Sequence, residues 1–239
     1  VTLVRSICSL PYVFDCVSLG LQLRDLSRLK SISIQEHLND PHYIKVYDYN
    51  AGVTANKLIT TTRRAEEFYE IISIPKRSLA SERILIVGPR NIQELFIAWV
   101  HGFSWSNISA IDLYTTNSKI SVMNMESMTF QSDTFDAVVM ANTLSYAKST
   151  QQALSEVSRV LKPGGRFAFS ATYDPNNEKW QEDSVSGSQI KEILSRVGLS
   201  VYTHYSVEKT NSEGRIQTSH SFGVVKLVSS HSKHDQFTL

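Results

Sequence analysis

From residue 82 onward the apolar positions of the chain alternate between two rhythms. ERILIVG is a short unbroken run of β-formers, IQELFIAWVHGF places Ile92, Leu95, Phe96 and Trp99 on one helical face, and ISAIDLY is a second strand ending in Asp112. KISVMN reads as a third strand or extended segment, and FDAVVMAN, residues 135–142, as a further strand with polar ends. In TQQALSEVSRVLKPGG, Leu154, Val157 and Leu161 recur at helical spacing until Pro163 and the glycines behind it stop the helix. RFAFSATYD is the next strand and SQIKEILSRVG the next helix, ending at Gly198. VYTHYSV and QTSHSFGVVKLV are then strands on either side of the turn TNSEGR.

Strand alternating with helix, closed by a terminal strand pair, predicts an α/β fold with a mostly parallel sheet, helices on both faces and an antiparallel hairpin at the C-terminal edge. Residues 1–80 carry mixed signals. LQLRDLSRL has a helical rhythm, DPHYIKVYDYN reads as a turn followed by extended or irregular chain, and ANKLITTTRRAEEFYEII reads as a helix ended by Pro75. The expected organisation is therefore an N-terminal helical extension or cap over 1–80, packed on a core domain of 81–239.

Composition narrows the function classes only slightly. Lys and Arg number 24 against 23 Asp and Glu, a formal net charge of +1, which gives no electrostatic signature of nucleic-acid binding. Arg63 and Arg64 are followed by Glu66 and Glu67 and read as a solvated helix face. Cys8 and Cys16 form no metal or redox spacing and are expected to be semi-buried thiols; no metal site is expected. Arg5 and Asp15 interrupt the apolar N-terminal stretch, and no apolar run reaches the roughly 20 residues a bilayer span needs. A cytoplasmic location is the default expectation, with a small-molecule acceptor, no nucleic-acid or membrane signal, and a homodimer left open. The first residue is Val1 rather than Met, which leaves room for residues upstream.

In sheets of this kind ligands lie beyond the carboxyl ends of the strands, which selects Gly88, Asp112, Asn142 and Asp174. Gly88 permits a tight turn and a close approach to backbone, or simply lets the chain leave the strand. Pro89 and Arg90 replace the further glycines that a pyrophosphate-binding turn requires, so a nicotinamide site reads poorly. Asp112 stands where a carboxylate can accept both hydroxyls of a ribose, or else cap the turn that follows. Asn124 and Met125 can read an adenine edge and pack on its ring, or belong to an apolar patch with Met123 and Met128. Asp136, at the amino end of its strand, is expected to be structural.

Taken together, ILIVGPRN, AIDLY, NMESMTFQSDTFDAVVMANTLSYA and ALSEVSRVLKPGGRFAFSATYD resemble the class I S-adenosylmethionine-dependent methyltransferases over about residues 65–228. The resemblance implies a Rossmann-like sandwich with a seven-stranded sheet, S-adenosyl-L-methionine as cofactor, and methyl transfer to a small-molecule or sugar- or lipid-linked acceptor by in-line attack. The alternative is an inactive scaffold or interaction protein on the same fold. It implies that Gly88, with Pro89 and Arg90, borders the methionine moiety, that Asp112 holds the ribose with Leu113 beside it, and that Asn124 and Met125 border the adenine. Asn142 and Thr143 would close the pocket, Tyr146 would occupy a position where many relatives have histidine, and Ser170 to Asp174 would face the acceptor.

The chain departs from the family pattern at Ile86, where an acid is usual, at the GPR turn that replaces GxG, and at Asn124, where aspartate is common. A similar subgroup also carries GPR followed by a glutamate, comparable to Glu94. Because the sulfonium methyl is already activated, orientation supplies much of the rate, and a base is needed only where the acceptor loses a proton. Tyr146 and Asp174 are the catalytic candidates, with His42 and His204 as further bases; no spacing distinguishes among the four.

Overall fold

A computed structural model describes residues 2–26, 32–33, 40–56, 65–74, 79–115, 117–173, 185–210, 214 and 216–228. Ahead of the sheet lie helices α1 (Thr2–Cys8) and α2 (Pro11–Leu26), the short strand β1 (Ile32–Ser33), and helices α3 (Pro41–Asn56) and α4 (Glu66–Ser73). The chain then alternates through β2 (Ile84–Val87), α5 (Ile92–Val100), β3 (Ile108–Asp112), the short β4 (Tyr114–Thr115), β5 (Ile120–Val122), β6 (Phe135–Met140), α6 (Thr150–Val160) and β7 (Leu161–Tyr173). It finishes with α7 (Gly187–Arg196), β8 (Leu199–Thr210) and β9 (Ile216–Lys226).

Seven strands form one sheet in the order β5-β3-β2-β6-β7-β9-β8. The first five are parallel neighbours, whereas β9 runs antiparallel to both β7 and β8. Alternate side chains of each strand enter opposite cores. Ile84 and Ile86 pack with α4 and α5, while Leu85 and Val87 join the core under α6 and α7. Burial on both faces is why β2 reads as a continuous apolar run rather than an alternating one. The arrangement is a Rossmann-like class I methyltransferase sandwich, mostly parallel and flanked by helices on both faces.

Several local expectations need correction. DPHYIKVYDYN, expected to be a turn and extended chain, lies at the start of α3. Its tyrosines and β-branched residues favour strand, but Asp40 Oδ1 accepts the His42 N–H at 2.9 Å, and Pro41 begins the helix where its missing donor costs nothing. Tyr43 and Val46 are buried, and Tyr47 and Asn50 continue that stripe at helical spacing. The helix expected over 55–72 is two features: α3 ends at Asn56 and α4 begins at Glu66. Residues 57–64, with Arg63 and Arg64, and Pro75 lie outside the described residues. Helix α6 ends at Val160, and Pro163 falls within β7. Cys8 is buried but Cys16 is exposed, because it lies on the outer side of α2. Among the described residues no single helix is long and apolar enough to cross a membrane.

Helices α1 and α2 pack on α5. Phe14 stacks on Phe96 with ring centroids 5.1 Å apart, and Arg5 donates to the carbonyls of Gly102 at 2.9 Å and Phe103 at 2.8 Å. Asp136 ties strand starts together: it accepts the Arg83 N–H at 2.9 Å and pairs with Lys162 at 2.8 Å, which places it at the end of the sheet away from the cavity described below.

Candidate functional site

Strand order reverses between β2 and β6, so the turns leaving these neighbours diverge and open a crevice at their carboxyl ends. Gly88 forms one wall. Its φ is +71°, its N–H donates to the Ile111 carbonyl at 2.8 Å, and a Cβ there would stand 2.3 Å from Thr143 Cγ2. Both the backbone conformation and the space demand glycine.

The opposite wall is Asn142 and Thr143. Asn142 has φ +54°, a conformation that asparagine tolerates better than most residues. Ser170 holds it there: Ser170 Oγ accepts the Asn142 N–H at 2.9 Å and donates to Asn142 Oδ1 at 2.9 Å. A strained residue fixed by a reciprocal bond at a crevice mouth is the kind of feature that collects at ligand sites. Ser170 therefore supports the wall through Asn142.

The GPR turn is braced by side chains. Asn91 caps α5 by accepting the Gln93 N–H at 2.9 Å, and its amide donates to Gln22 Oε1 of α2 at 3.3 Å. Glu94, buried in the first turn of α5, accepts the Arg90 N–H at 3.4 Å, and its own carbonyl accepts the Tyr69 hydroxyl at 3.0 Å. Burial, with Glu94 nearby, pushes the Tyr69 hydroxyl well above its ordinary pKa, so it remains a donor. The contact from α2 to Asn91 had no counterpart in the sequence pattern, because the two positions lie 69 residues apart.

Asp112 ends β3 beside this turn. Its carbonyl accepts the Met123 N–H at 2.9 Å and its Oδ1 lies 3.4 Å from the Tyr114 N–H. Met123, Asn124 and Met125 follow β5. Asn124 turns its Oδ1 onto the Glu126 N–H at 2.9 Å, which fixes the loop as an Asx turn.

One cavity of about 700 Å³, open solvent included, brings these parts together. Gly88, Arg90, Asp112, Leu113, Asn124, Met125, Asn142, Thr143 and Tyr146, all expected from the sequence, line it. Pro89 and Glu94 are buried and stand behind the wall. Asp174 lies outside the described residues.

Val46 and Asn50 of α3 also line the cavity, as do Ile111, Tyr114 and Met123. The residues of α3 were missed because their segment was read as extended. Its Asp-Pro start and its stripe at 43, 46, 47 and 50 were the available signal. His42 stands at the rim with Nε2 3.1 Å from the Tyr146 carbonyl. His204 instead pairs with His220 at 3.2 Å and stacks on Phe222 in the terminal hairpin, away from the cavity lining. Burial lowers the pKa of both hairpin histidines, with Lys191 acting in the same direction.

Comparison with known proteins agrees with this architecture. A family model described as a methyltransferase domain matches residues 104–169, from the turn before β3 into β7. Over 63 residues, 24% of the chain, the sequence is 41% identical to squalene methyltransferase 1 of Botryococcus braunii, of which the match spans 17%. A Haemonchus contortus phosphoethanolamine N-methyltransferase, solved with phosphomonomethylethanolamine and S-adenosylhomocysteine, superposes with a TM-score of 0.57 at 15% identity, covering 82% of this chain and 61% of that one. The 1,6-didemethyltoxoflavin-N1-methyltransferase of Burkholderia thailandensis, solved with its substrate and S-adenosylhomocysteine, gives 0.56 at 12% identity, with coverages of 82% and 92%. At these identities the structural likeness is one of fold.

Proposed function

We propose that the chain binds S-adenosyl-L-methionine in this cavity and transfers its methyl group to a small-molecule acceptor. The observation that carries the reading is the convergence of Gly88, Asp112 and Asn142, from the ends of three strands, on one cavity at the switch point of the sheet. The residues fit that cofactor. A carboxylate on the wall can accept both ribose hydroxyls, and the loop 123–125 offers an amide and thioethers to an adenine. Gly88 leaves backbone bare where a side chain would fill the space.

When bound, the cofactor supplies a methyl group activated by the positive charge on sulfur. The chain's part is orientation and exclusion of water. Arg90, on the cavity wall, offers a fork of donors to a carboxylate. The loss of the usual glycines is compatible with binding, because caps and side-chain bonds hold the GPR turn and this cofactor has no pyrophosphate to wrap. Tyr146 borders the acceptor side, where α3 adds Val46 and Asn50. Tyr146 and Asp174 remain the residues assigned to acceptor handling, and a cytoplasmic setting belongs to the same reading.

Isothermal titration of the purified chain with S-adenosylmethionine, S-adenosylhomocysteine and NAD tests the proposal. Heat with the first two and none with NAD is the expected result. Silence toward all three from folded protein would replace it with an inactive scaffold.

A further inference from the structure

Three walls of the cavity meet at one residue that does not line it. Glu126, 9% exposed, follows the loop 123–125. Its carboxylate accepts the Tyr43 hydroxyl of α3, the Lys148 N–H at 3.2 Å and the Ser149 N–H at 2.6 Å. Its N–H donates to Asn124 Oδ1 at 2.9 Å, and its carbonyl accepts Gln152 Nε2 at 3.2 Å. A carboxylate has about four lone-pair sites, and donors from two separate segments occupy three here. The adenine-side loop, the segment carrying Tyr146 and the helix carrying Val46 and Asn50 are therefore held in one mutual position.

Further tethers of α3 go to the same walls. His42 Nε2 lies against the Tyr146 carbonyl, Asp40 pairs with Lys148 at 2.8 Å, and Tyr47 meets Tyr114 edge to face with centroids 5.6 Å apart. Asp40 and Lys148 are partly exposed at the rim, whereas Tyr43 is 8% exposed and its bond to Glu126 is buried. Burial and the neighbouring carboxylate raise the Tyr43 pKa, so the hydroxyl keeps its proton and its donor role.

We propose that Tyr43 and Glu126 are positioning residues that couple the adenine-side loop to α3, so that filling the cofactor side draws α3 closed over the acceptor side. The inference rests on the cofactor assignment above. Its physical basis is linkage: a ligand fixing the loop 123–125 in the arrangement that orients Glu126 favours the state in which Tyr43 is bound. Binding on the cofactor side would thus favour the arrangement, seen here, in which Val46 and Asn50 stand on the cavity wall.

Hydrogen exchange of the full chain, with S-adenosylhomocysteine as the probe, tests this without knowledge of the acceptor. Saturating probe should slow exchange of the α3 amides in wild type by about tenfold or more, as expected for strengthening a hydrogen bond to a charged acceptor. Tyr43→Phe removes only the hydroxyl. It should still bind the probe, measured by calorimetry, with most of the slowing of α3 lost; Glu126→Gln, altering the other partner, should lose it as well. Equal slowing in wild type and both variants would overturn the coupling and leave the cofactor assignment standing. Slowing that disappears only in step with probe affinity would also overturn it, since a merely structural role predicts that result. Failure of folded wild type to bind the probe would overturn the cofactor assignment and the coupling together.

Discussion

The two sides of the cavity are built by different physics. The side carrying Gly88, Asp112 and Asn142 consists of the ends of parallel strands, each fixed by hydrogen bonds to neighbours and by apolar cores on both faces. The side carrying Val46 and Asn50 is one helix held by a few polar and aromatic tethers to the walls it covers. The strand side keeps its shape because moving it would break the sheet. The helical side can respond, because its attachments are separate tethers, two of which end on the cavity-lining residues Tyr146 and Tyr114. Such a division suits a site that must recognise one cofactor rigidly and admit an acceptor afterwards.

The largest expected effect comes from attacking the strand side at its tightest point. Gly88→Val forces a β-branched residue to φ +71° and drives Cβ into Thr143. The left-handed conformation costs about 1–2 kcal/mol and overpacking about 1–3 kcal/mol more. A lower melting temperature should accompany lost binding of S-adenosylhomocysteine. Gly88→Ala with Thr143→Gly should recover part of the stability, because it removes the clash and leaves only the backbone strain. Full folding and binding in Gly88→Val would place the pocket elsewhere.

Asp112→Ala separates recognition from architecture on the same side. Losing hydrogen bonds to ribose hydroxyls should weaken S-adenosylmethionine binding by about 1–3 kcal/mol, with the melting temperature of the ligand-free protein almost unchanged. Equal affinities by calorimetry would remove the ribose assignment and leave Asp112 as the cap of the Tyr114 turn.

The smallest effect concerns the rim of α3 and its dependence on pH. Asp40 is held below its ordinary carboxyl value of 3.8 by its hydrogen bond to the Lys148 ammonium, then by the His42 N–H. A lowered folded pKa means that the tether contributes above the ordinary value and is lost as pH falls through the lowered one. Acidification should therefore lower the protection of the α3 amides, once exchange is corrected for its own slowing in acid, before the strands respond. Lys148→Gln should flatten that early change. Simultaneous loosening of α3 and the sheet would show that the two sides are one cooperative unit.

Much of the strand side was legible in the sequence. An unbroken apolar run ending in glycine marked β2, an acid closing the next strand marked Asp112, and the helix before LKPGG placed α6 and β7. These signals are local: burial on two faces demands apolar runs, and a turn at positive φ demands glycine. The helical side was largely hidden. Tyr43, Val46, Tyr47 and Asn50 sit in a segment whose composition favours strand, and tertiary burial with the Asp40 cap overrode that preference.

From residue 82 onward the sequence by itself determined the order of the main strands and helices, the turn at Gly88 and the acid at Asp112, because each depends on neighbours a few residues away. Only the tertiary structure decided that Pro89 and Glu94 stand behind the wall, that Gln22 braces the turn through Asn91, and that Glu126 ties three walls into one. Tyr43 and Glu126 are 83 residues apart in the chain. No local periodicity records such a pairing, since it exists only once the sheet has brought the loop after β5 beneath a helix that precedes the first strand of that sheet.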